Sequence, residues 1–62
     1  MKGEIVVENE EVFLFEDIGT EDRFYWDPET KEVIVENIHG RRFRVGKAET
    51  KSRAMHLANW ES

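Results

Sequence analysis

Between residues 23 and 46 the chain alternates. The runs 23–27, 31–37 and 41–46 set apolar side chains at every second position, the period of a β-strand with one buried face. Two earlier runs, 3–8 and 11–17, are rich in Val, Ile and Phe and extend the pattern. Breaks fall at Asn9-Glu10, Gly19-Thr20, Asp27-Pro28-Glu29-Thr30 and His39-Gly40. The single proline, second in its tetrapeptide, suits a type I turn, and Ile38-His39-Gly40 reads as a three-residue hairpin loop with Gly40 free to take a positive φ. At residue 50 the period changes. Thr50 reads as the N-cap of a helix to about residue 60, with Ala54, Leu57 and Ala58 as a narrow apolar stripe. The expectation is an α+β fold: a curved antiparallel sheet of four to five strands (about 3–8, 11–17, 23–27, 31–37 and 41–46) with one C-terminal helix (about 50–60) packed on it.

At 62 residues this is one small domain, spanning 1–62. A chain of that size buries only about 60% of its unfolded surface, so its stability is marginal without help. Disulfides and Cys-based zinc sites are excluded, because the sequence has no cysteine. The longest apolar run, Val12-Phe13-Leu14-Phe15, is far short of the ~20 residues of a spanning helix. No signal-peptide pattern opens the sequence, and the expected location is cytoplasmic. Seven aromatic residues argue against a disordered tail.

The periods assign faces. A loop at 38–40 pairs Val35 with Phe43 and Glu36 with Arg42; the preceding turn pairs Trp26 with Val33 and Phe24 with Val35. These apolar partners agree on one face, which with Ile5, Val7, Phe13, Phe15, Val45, Leu57 and Ala58 makes the expected core. The opposite face carries Val6, Leu14, Tyr25 and Ile34, with Tyr25 directly opposite Ile34. This apolar row, rimmed by carboxylates on one side and by Arg42 and Arg44 on the other, is the expected protein interface, serving a partner or a homodimer.

Charge is divided along the chain. Residues 1–38 hold twelve acids against three bases, a balance of −9, and residues 39–62 hold six bases against two acids, a balance of +4. The basic run Arg41, Arg42, Arg44, Lys47, Lys51 and Arg53 is a candidate nucleic-acid contact. The alternative is that the two halves pack together and neutralise each other. Catalysis is not expected. No hydroxyl sits in a glycine-framed elbow, no glycine loop cradles phosphate, and His39 and His56 lack partners at ligand spacing. No cofactor or metal is expected.

Ala48, Glu49, Thr50, Ala54, Leu57, Ala58 and Trp60 form a pattern that resembles the helix of the small T7-type phage inhibitor of bacterial RNA polymerase. It covers about a fifth of the chain. The resemblance implies a non-enzymatic regulator that binds a host enzyme. That family continues with a strand carrying functional arginines that has no counterpart in this sequence, so none of its functional residues is carried over. Gly46-x-x-x-Thr50-x-x-x-Ala54 is also similar to the strand-to-helix junction of AP2-like DNA-binding domains. The functional expectation is a small acidic protein-binding module directed at a protein such as the host transcription machinery. The second reading is a nucleic-acid-associated accessory domain acting through 41–53.

Overall fold

A computed structural model describes residues 10–61. The expected strand at 3–8, with Ile5, Val6 and Val7, lies outside the described residues. Four strands, β1 (Val12–Asp17), β2 (Asp22–Asp27), β3 (Glu32–Glu36) and β4 (Arg42–Lys47), form one antiparallel sheet in the order β1-β2-β3-β4. Helix α1 (Lys51–Glu61) follows and packs on one face. The fold is α+β, as the change of period implies.

Each turn is built by the side chain that opens it. Asp17 accepts the N–H groups of Gly19 and Thr20 at 2.9 and 3.4 Å, and Asp27 those of Glu29 and Thr30 at 2.9 and 3.3 Å. Asn37 accepts from His39 at 2.9 Å and Arg41 at 3.0 Å. A side chain that mimics a backbone turn specifies where a hairpin reverses. The loop at 38–40 closes with Gly40 at φ 82°. The pairs Phe24–Val35, Trp26–Val33, Tyr25–Ile34, Val35–Phe43 and Glu36–Arg42 all stand in the expected register.

Two bulges correct the faces. Phe13 pairs with Tyr25 and Phe15 with Phe24, leaving Leu14 as the extra residue of β1; Val45 is likewise extra in β4, between Gly46 and Arg44. A bulge inserts one residue and resets the parity beyond it. Leu14, expected on the outer row, is therefore buried in the core at 7% exposure. Phe13, expected inside, stands outside at 51%. Phe43 keeps the core-facing register opposite Val35 but is 50% exposed. It lies on an edge strand three residues before Gly46, about 10 Å away at strand rise, and the helix crosses at Gly46. A Cβ on that glycine would come 2.9 Å from the Leu57 side chain.

The core comprises Leu14, Phe24, Trp26, Val33, Ala48, Ala54 and Ala58, with Val12, Phe15, Val35, Val45, Met55 and Leu57 packed around it. Ala54 and Ala58 are fully buried, and their small side chains let α1 sit close to the sheet. The buried Trp26 indole N–H donates to the Ala48 carbonyl at 2.9 Å, tying the strand-to-helix link to the core. Thr50 caps the helix, its hydroxyl accepting the Arg53 N–H at 3.2 Å.

Candidate functional site

Helix α1 covers one face of the sheet. On the other, the pairings align Phe13, Tyr25, Ile34 and Arg44 across all four strands. Phe13 meets Tyr25 edge to face, with ring centroids 5.7 Å apart and planes at 64°. Tyr25 and Ile34 are half-buried. Of the expected interface residues, Tyr25 and Ile34 lie on this row and Leu14 does not; Val6 is outside the described residues. Phe13 takes the place expected of Leu14.

The arginines beside the row are held. Arg42 extends over the Tyr25 ring, 5.6 Å from its centroid, and binds Glu11 at 2.5 Å. Its guanidinium is pushed above its ordinary range, chiefly by the Glu11 hydrogen bond and against a smaller effect of burial, with Glu36 and Tyr25 adding to the rise. It stays charged at every working pH. Arg44 binds Glu32 at 2.8 Å. Exposed pairs of this kind contribute at most about 1 kcal/mol each, so their effect is to orient side chains. Both join the acidic half of the sequence to the basic half.

Across the sheet, the neighbouring row is Glu16, Arg23, Glu36 and Arg42. It opens into a cleft of about 290 Å³ lined by Glu16, Glu21, Arg23, Glu36, Asn37, Ile38 and Gly40. The turns at this end leave Ile18 and Ile38 exposed. The outer face thus passes from an aromatic centre to an end where three carboxylates stand around Arg23.

The basic run does not form one surface. Arg42 and Arg44 lie on the outer face, each in an ion pair. Arg41 rests on the Phe43 ring at 5.9 Å. Lys51 is exposed in the first turn of α1. Lys47 and Arg53 come together with His56, Leu57 and Trp60 around a second cleft of about 330 Å³. His56 and Trp60 were not among the expected site residues. Their signal is the spacing 53, 56, 57, 60, which places four side chains on one helical face.

Among the described residues, no group of three or more His, Cys, Asp or Glu side chains is placed to hold a metal. No helix among them is long and apolar enough to cross a membrane. Compared with models of protein families, with curated proteins and with solved structures, the chain matches none.

Proposed function

We propose that this chain is a non-catalytic protein-binding module whose contact surface is the sheet face opposite α1. The observation that carries the reading is the aromatic row on that face. Phe13, Tyr25 and Ile34 are contiguous, α1 does not cover them, and Arg42 and Arg44 border them. Aromatic and arginine side chains at the centre of a patch dominate binding energy at interfaces. The partner this surface fits is a protein with an apolar patch flanked by basic side chains. Support for the basic flank comes from Glu16, Glu21 and Glu36 at the end of the face, and from the chain's net charge of −5, which steers it toward positive surfaces. The most concrete version is a regulator or inhibitor of a host enzyme such as RNA polymerase. That version rests on the resemblance of the 48–60 segment alone.

The test is Tyr25→Ala with Ile34→Ser, each half-buried on the outer face. Affinity purification of the tagged protein from its native host identifies the partner, and titration then compares the variants. The double variant is expected to keep its circular dichroism and bind about 30-fold more weakly, about 2 kcal/mol. Should the double variant unfold, Phe13→Ser, at a side chain already half in water, replaces it. A folded variant that binds as tightly as the parent overturns the reading.

A further inference from the structure

A second surface has a different chemistry. Where β4 runs into α1, Lys47, Arg53, His56, Leu57 and Trp60 enclose a cleft of about 330 Å³. This is the small end of the range for ligand sites, roughly 300–1,000 Å³. Trp60 is 80% exposed, although the chain's other tryptophan, Trp26, is buried with its N–H satisfied. Lys47 and Arg53 are exposed as well. The salt bridges among the described residues are Arg42–Glu11 and Arg44–Glu32, and neither Lys47 nor Arg53 takes part in one. Glu32, the cross-strand neighbour of Lys47, is occupied by Arg44. An exposed indole beside two uncommitted cations and an imidazole offers a stacking platform and a phosphate clamp in one small cleft.

We propose that this cleft binds single-stranded nucleic acid, one base stacking on Trp60 and the adjoining phosphates held by Lys47 and Arg53, with His56 as a further polar contact. Three features favour this occupant over a plain anion or an acidic peptide. A phosphate alone has no use for an indole. Every unpaired base has a π-face, so stacking on an exposed tryptophan needs no sequence match. Arg53, His56 and Trp60 lie on one helical face, three and four residues apart, and Lys47 joins them from β4, so ring and cations line the same cleft. A duplex keeps its bases stacked internally and offers no face to the indole. The cleft shares no residue with the row of Phe13, Tyr25 and Ile34, so this inference does not depend on the protein-binding reading.

The experiment is fluorescence anisotropy of a labelled ten-nucleotide oligo(dT) titrated with the whole chain, with circular dichroism on every variant. Two phosphate contacts on a single strand give a log–log salt slope of about −1.4, so affinity should fall about 25-fold from 20 to 200 mM salt. Trp60→Ala should weaken binding at least fivefold without changing that slope, and Lys47→Ala should cut the slope by about half. Tryptophan emission should be quenched in the parent and unchanged in Trp60→Ala, where the buried Trp26 is the remaining reporter. No anisotropy change at 20 mM salt overturns the proposal. So does a folded Trp60→Ala that binds like the parent. Competition by a ten-residue polyglutamate peptide as effective as by unlabelled oligo(dT) would also overturn it, because the cleft would then be answering charge alone.

Discussion

Four consecutive apolar residues, Val12-Phe13-Leu14-Phe15, show where sequence reasoning on single residues fails. Alternation assigns a face only when polar and apolar positions differ, and this run has no polar position to set the parity. The bulge at Leu14 then decides, turning Leu14 and Phe15 to the core side and Phe13 outward. The energetic consequence is a reversal that thermal melting can read. Leu14→Ala should cost about 2–5 kcal/mol, as truncation of a buried leucine does. Phe13→Ala should cost less, about 1–2 kcal/mol, from its edge-to-face contact with Tyr25 and the half of its ring that is buried. For a domain of this size each kcal/mol moves the midpoint by roughly 4–8 °C. A larger loss at Phe13 than at Leu14 would return the faces to plain alternation. Where polar residues do alternate, as at Tyr25 and Ile34, both the facing and the partner were legible.

Among the elements, the hairpins were the most readable and the helix docking the least. Asp27-Pro28 and His39-Gly40 mark reversals by chemistry that acts within a few residues, and a short loop fixes register on both sides. The observed β2–β3 pairs, and the β3–β4 pairs from Glu36–Arg42 to Ile34–Arg44, follow from that alone, while Val33–Gly46 and Glu32–Lys47 lie beyond the Val45 bulge and do not. The helix was visible from Thr50 and its alanines, but its placement on the sheet depends on contacts distant in sequence. The Trp26–Ala48 hydrogen bond spans 22 positions, and Gly46 makes room for Leu57. No local pattern reports either contact. Trp26→Phe removes the donor while leaving the Ala48 carbonyl buried, so it should cost about 1–3 kcal/mol. The check is urea unfolding, with the lost protection from hydrogen exchange concentrated in α1. A Trp26→Phe protein as stable as the parent would mean that the helix is held by its alanine contacts alone.

For the whole molecule, the division of charge was plain in the sequence, while its meaning depended on geometry. The basic half does neutralise part of the acidic half, through Arg42–Glu11 and Arg44–Glu32. What remains, among the described residues, is two unlike surfaces. One is an aromatic sheet face grading into carboxylates. The other is a tryptophan beside Lys47 and Arg53 at the edge where β4 meets α1. The aromatic row was half legible, since Tyr25 and Ile34 follow from alternation and Phe13 does not. The cleft was not, because Trp60 joins Lys47 only when the chain turns back at residues 48–50. In the proposed function, the sheet face opposite α1 meets a partner protein. The most direct measurement is photo-crosslinking in the native host from a photoreactive residue placed at position 13, against the same residue at the exposed helix position 52. A discrete covalent adduct with one partner is expected from position 13, absent from position 52 and lost when Tyr25→Ala and Ile34→Ser are added. An adduct formed from position 52 and not from 13 would contradict the proposed function.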